Sequence, residues 1–249
     1  SNDLLIKIYI NGKQCRQTDA AWTAYQDGVY TIPQIDADKT ISVSGVEDTL
    51  APVIEIKITE DKWNSFINTI TFGKFFKATQ NVIITAVDAG VGLQSLEYYV
   101  GTAMSLEELQ AVPDEEWTSM RTGENFNIDP DAELVVYARA VDYNDNLAYA
   151  CSDGIVLDET APVFKGISAD GLYELDEEET YVAPITVKVT DEYLGTVTVG
   201  GVERTPDKNG ELVVAGGDEP VDVIAVDMAG NATAYTINVL TSTSVPDRD

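Results

Sequence analysis

The sequence predicts an all-β chain built as tandem antiparallel β-sandwiches, with one short helix in its middle. Three observations carry that prediction. Apolar and polar residues alternate at period two in "APITVKVTD" (183–191), where Ile185, Val187 and Val189 take one face and Thr186, Lys188 and Thr190 the other. Strand-like runs lead into glycine-bearing turn signals, as in "TVTVGGVE" (196–203) and "IKIYINGK" (6–13). Finally, nearly the same string opens two segments: "EDTLAPV" at 47–53 and "DETAPVF" at 158–164.

Those two strings read as domain boundaries. Proline lacks a backbone donor and fixes φ, so it suits the start of a first or edge strand and stiffens the link before it. Their spacing of about 110 residues is the size of one immunoglobulin-like sandwich. In chain order, 1–48 reads as a small β unit or a partial domain. Its strand, Asn-Gly turn and later strands follow the same order as "TVTVGGVERTPDKNGELVV" and "VDVIAVD" in the last third. Residues 49–158 form a sandwich containing "NVIITAVD" (81–88) and "LVVYARAVD" (134–142). They also hold a helix near 105–112, where Ser105 and Glu108 have capping-box spacing and Pro113 ends the turn. A second sandwich occupies 159–241, and 242–249 form a tail.

Charge narrows the function. Of 249 residues, 43 are acidic and 15 basic, a net charge of −28. Such a surface repels phosphate backbones and anionic headgroups, which argues against nucleic acid as a partner, and it attracts cations. No apolar run is long enough to insert into a membrane. No signal peptide is visible, and the opening residues read as the middle of a longer protein. Two cysteines, Cys15 and Cys151, stand far apart without CxxC spacing, so packing rather than disulfides must hold the domains. Histidine is absent, which removes the commonest general base and rules out a Ser–His pair. The carboxylate runs "DEEW" (114–117) and "LDEEET" (175–180) read as solvated loops rather than a glycosidase pair facing across a substrate. An enzyme is not expected.

Three stretches are candidates for a site. "AVDMAGNATAY" (225–235) and "VDYNDNLAY" (141–149) share a strand end, an aspartate, a polar turn and an apolar-aromatic run. One reading is a structural hairpin, with the aspartate accepting backbone N–H groups of the turn. The other is a calcium site; no cofactor is expected, calcium being the one ion the residues leave open, and the hairpin reading is preferred. Calcium needs about six to eight oxygens, which Asp142, Asn144, Asp145, Asp227 and Asn231 would begin to supply. The third stretch, "KWNSFINTITFGKFFK" (62–77), gathers Trp63, Phe66, Phe72, Phe75 and Phe76 with Lys62, Lys74 and Lys77. It is read either as core and interdomain packing, with lysines guarding an edge strand, or as an exposed aromatic platform for sugar rings.

Paired Asp/Thr-to-Ala-Pro openings, "DTLAP" (48–52) and "DETAP" (158–162, D-x-T-A-P), and Asp-to-Asn turns, "DYNDN" (142–146) and "DMAGN" (227–231, D-x-A-G-N), on acidic, strand-rich units resemble tandem immunoglobulin-like repeats of bacterial surface proteins. The stretch 61–101 is similar to a repeat of large Gram-positive cell-wall proteins from gut bacteria. The resemblance covers about residues 49–240. It implies an extracellular, non-catalytic stalk or adhesion module whose Ala51-Pro52 and Ala161-Pro162 junctions set the stiffness of a rod. Implied partners are neighbouring domains of the same chain and a host glycan or matrix protein. The alternatives are a glycan- or host-protein-binding module, and an accessory region of a large secreted glycoside hydrolase.

Overall fold

In the computed structural model, residues 48–182 and 184–241 are described throughout; of the N-terminal segment, only the strand residues 7–10, 13–14, 25–26, 29–30 and 41–44 are described. Those strands are β1 (Lys7–Ile10), β2 (Lys13–Gln14), β3 (Tyr25–Gln26), β4 (Val29–Tyr30) and β5 (Ile41–Ser44). They pair as β2-β1-β5 and as a β3–β4 hairpin. Cys15 and the tail after residue 241 lie outside the described residues.

The middle domain starts with β6 (Val53–Ile58) directly after Pro52. Its Ile54, Ile56 and Ile58 alternate with outward Glu55 and Lys57, and all three isoleucines are buried. Each such side chain contributes roughly 1.5–3 kcal/mol by leaving water. β6 pairs with β7 (Asp61–Trp63) on one side and with β9 (Gln80–Val87) on the other; β12 (Asn125–Ile128) then pairs with β9. The facing sheet runs β11 (Thr118–Ser119), β10 (Leu93–Gly101), β13 (Ala132–Asp142), β15 (Ile155–Leu157), β8 (Lys74–Phe76), and β14 (Leu147–Cys151) also pairs with β13. The β8–β15 pair is parallel; the others are antiparallel.

The third domain repeats this order. β16 (Val163–Ser168) lies between β17 (Gly171–Tyr173) and β19 (Ile185–Thr190), and β22 (Glu211–Val214) pairs beyond β19. The facing sheet is β18 (Thr180–Val182), β24 (Ala232–Leu240), β23 (Val221–Asp227), β20 (Leu194–Val199), β21 (Val202–Arg204), with β18 and β24 parallel. Both domains are therefore immunoglobulin-like sandwiches of one topology. They differ where the second sheet of the middle domain is covered on its outer face too.

That cover comes from the predicted helix and the aromatic stretch. Helix α1 (Leu106–Gln110) carries the full Ser105–Glu108 capping box, and one 3₁₀ turn follows at Asp114–Glu116. Leu109 and Trp117 join Val135, Tyr137 and Cys151 in a second core, against which Phe66, Phe72, Tyr99 and Tyr149 pack. β13 is thus buried on both faces from Leu134 to Ala138, which explains its weak alternation. Segment 64–73 is tied to this face by Cys151 N–H donating to Ser65 O, by Ile67 N–H donating to Cys151 Sγ and by Thr71 donating through both N–H and Oγ1 to Asp153. Gly154 makes room for it: a Cβ there would stand 2.6 Å from the Phe72 ring. Among the described residues no helix is long and apolar enough to cross a membrane.

Candidate functional site: paired aspartate clusters at the domain boundaries

Each sandwich holds the linker that leads into it with the same device. β13 of the middle domain ends at Asp142, and β23 of the third ends at Asp227. Both aspartates are buried, at 0% and 5% exposure. Asp142 accepts the backbone N–H of Asn144 (2.8 Å) and of Asn146 (2.9 Å), and also Asn146 Nδ2 (2.7 Å). Asp227 accepts the N–H of Asn231 (2.8 Å) and Asn231 Nδ2 (2.7 Å). This is the hairpin reading of the two repeated strings, since each turn connects paired strands, β13 to β14 and β23 to β24.

The asparagine does a second thing that the hairpin reading did not include. Asn146 Nδ2 donates to Asp48 O at 2.8 Å, and Asn231 Nδ2 donates to Asp158 O at 2.7 Å. Asp48 and Asp158 are the first residues of the two linkers. Each folds its own linker as well: Asp48 accepts Leu50 N–H, and Asp158 accepts Thr160 N–H. A third aspartate arrives at the end of the second strand of each first sheet. Asp88 accepts the N–H groups of Gly90 and Gly92, and Asp191 accepts that of Tyr193.

Three carboxylates therefore converge twice. Oxygens of Asp48, Asp88 and Asp142 all lie within 4.8 Å of one another, and so do those of Asp158, Asp191 and Asp227. Burial raises the Asp191 carboxyl pKa, and the charges of Asp227 and Asp158 raise it further. Burial also pushes Asp142 up, but the bonds donated by Asn146 and Asn144 outweigh it and leave its pKa lowered. Chemically, each cluster is an all-oxygen, strongly anionic set of the kind a hard divalent cation takes. Gly90 leaves room for the first cluster: a Cβ there would fall 1.6 Å from Asp48 Oδ2, so the Asp48 carboxylate would have to move out of its place.

Of the metal candidates read from the sequence, the clusters include Asp142 and Asp227. Asn144 and Asn231 enter as hydrogen-bond donors, and Asp145 sits exposed in the turn at φ +63° outside the cluster. Asn146, an oxygen-bearing member of the same turn, enters as a donor too, whereas Asp48, Asp88, Asp158 and Asp191 were not among the candidates. The signal for two of them was in plain view, since Asp48 and Asp158 each stand four residues before the proline of the duplicated Ala-Pro strings.

The aromatic candidates do not gather on one face. Trp63 and Phe76 pack against the sandwich core, while Phe66 and Phe72 pack in the second core on the outer face. Phe75 meets Tyr193 of the third domain edge-on, with ring centroids 5.4 Å apart. All five are half-buried. Lys62 pairs with Glu55 and Lys74 with Asp61, both at the partly exposed edge.

No family model matches the chain, and no curated protein matches it. Among solved structures the chain is similar to the fibronectin(III)-like modules of Clostridium thermocellum CbhA. They share 14% identity and a TM-score of 0.33, over 78% of this chain and 98% of that one.

Proposed function

We propose that this chain is a non-catalytic module of a bacterial extracellular surface protein, a rod segment that spaces or presents a binding element. The observation that supports this reading is the duplicated boundary: the same Asn-to-linker clamp, Asn146 to Asp48 and Asn231 to Asp158, is built at successive domains. A device repeated at every boundary serves the geometry of a series of domains, whereas a catalytic site is assembled once. The absence of histidine points the same way. So do the buried aspartates, whose oxygens accept the hydrogen bonds that hold turns and linkers. The test is a binding screen of the folded chain against glycans, mucin and matrix proteins, in calcium and then in EDTA. A spacer gives no specific binding. Specific binding lost on Trp63→Ala, with folding intact, would replace this reading by an adhesive one.

Calcium at the clusters is the second reading, and the convergence of three carboxylates at two equivalent places favours it. Asp158 and Asp191 each have one carboxylate oxygen that accepts no hydrogen bond from a described residue. A divalent cation there would also offset the burial and, beside it, the neighbouring carboxylate charges that raise the Asp191 pKa. Calcium should raise the melting temperature of the chain relative to EDTA, and Asp191→Asn should remove the part belonging to the third domain. Equal melting curves with and without calcium would overturn the calcium reading and leave the spacer.

A further inference from the structure

We infer that the boundary between the second and third domains is a locked joint, with Tyr193 as its wedge, so that the two sandwiches move as one body. This goes beyond the spacer reading and holds equally for a ligand-binding chain.

The lock begins in the linker itself. Asp158 N–H donates to Phe76 O on β8 of the middle domain at 2.9 Å. Asp158 O accepts Asn231 Nδ2 of the third domain at 2.7 Å. The backbone groups of a single residue are thus held by opposite domains, and Pro162 fixes φ four residues later. A linker pinned on both sides has lost most of its bending freedom, but one pinned point still permits twist and tilt about it.

Tyr193 supplies the second point. Its ring packs edge-on against Phe75, centroids 5.4 Å apart at 64°, and its hydroxyl lies 3.4 Å from Glu133 Oε2. Both partners belong to the middle domain and lie off the linker, so the contact resists rotation about it. The wedge is itself fixed to its own domain: Tyr193 N–H donates to Asp191 Oδ1 (2.7 Å), and Tyr193 O accepts Met228 N–H (2.8 Å). Phe75 is held in β8, which continues the middle sheet through β15.

Two observations make one residue decisive. A cavity of about 320 Å³ lies beside Tyr193, bordered by Asp131, Glu133, Asp158 and Glu192, so the contact is narrow and is not shared with a broad packed interface. In the middle domain, the residue whose carbonyl accepts the equivalent turn N–H (from Tyr143) is Gly92. A sandwich of this topology is therefore built in this chain with glycine at that place, where Gly92 adopts φ +94°, and the melting profile reports whether the third domain keeps its fold with glycine at 193.

The experiment is a distance measurement between nitroxide labels on the full chain, carrying Cys15→Ser with Glu107→Cys and Glu203→Cys. Both labelled sites are exposed, and the native Cys151 is fully buried and escapes labelling. The locked joint gives one narrow distance distribution. Tyr193→Gly should at least double its width, while Tyr193→Phe, which keeps the ring and loses only the hydroxyl, should leave it narrow. An unchanged melting profile of the glycine variant shows that the sandwich itself has survived. A broad distribution in the unsubstituted chain, an equally narrow one in Tyr193→Gly, or equal broadening in Tyr193→Phe would each overturn the wedge. A ligand found in the binding screen would overturn the spacer reading without altering these distances.

Discussion

Replacing Asn231 by alanine is the most direct test of the boundary device. The side chain makes two hydrogen bonds, one to the Asp158 carbonyl and one to the Asp227 carboxylate. The first contributes about 1 kcal/mol, and the second, to a charged group only 5% exposed, about 2 kcal/mol. The backbone N–H of residue 231 continues to donate to Asp227 Oδ1, so the turn itself should persist. The expected loss is about 3 kcal/mol of third-domain stability, which for a domain this size is a fall of about 15 °C in melting temperature. Differential scanning calorimetry on the full chain reads it directly. Asn231→Asp should be worse, because it removes both donors and places a fourth carboxylate among three. Asn146→Ala should lower the middle domain's transition in the same way. A loss in Asn231→Ala within about 0.5 kcal/mol, the range of ordinary surface changes, would refute the clamp.

Other outcomes follow from particular contacts. Burial raises the Tyr137 phenol pKa to about 12, so the folded state keeps a proton that the unfolded chain loses near pH 10. Its contribution is intact below pH 10 and falls away as pH rises from 10 to 12, by about 3 kcal/mol in all; alkaline titration of stability should be flatter in Tyr137→Phe. Gly195→Ala puts a Cβ 2.8 Å from Val226 O and 3.0 Å from Asp227 O, backbone atoms that cannot swing aside, and urea melts should show about 1–3 kcal/mol lost. Trp117 Nε1 is buried with no hydrogen-bond partner among the described residues, while Arg139 stacks 4.4 Å over the ring. Trp117→Phe should therefore stay within about 1 kcal/mol, and Trp117→Ala should cost about 3–5 kcal/mol. Cys151 is buried, and burial raises its thiol pKa. In a Cys15→Ser chain it should be inert to alkylation until the middle domain unfolds; fast labelling of the native chain would contradict the second core.

Period-two alternation fixed the strands, because a strand with one face in a core must write that face in every second residue. The duplicated Ala-Pro openings were read as boundaries for a similarly local reason, since proline's ring acts on its own φ and its neighbour's, and each precedes the first strand of a sandwich, β6 and β16. The helix was legible too, since a capping box closes within four residues. Even the Asp-turn-Asn strings declared their hairpins. What the sequence did not contain was the company those aspartates keep. Asp48, Asp88 and Asp142 are separated by 40 and more residues, and only the face-to-face stacking of two sheets brings them within 4.8 Å. The aromatic stretch shows the same division. Its apolar load announced burial, but whether Phe66 and Phe72 would cover a sheet, or stand free as a platform, depended on where segment 64–73 was tied. That was decided by Cys151 and Asp153, more than 80 residues away. Local rules wrote the strands and turns of this chain; the clusters and the joint exist only where distant turns meet at one end of a closed sandwich.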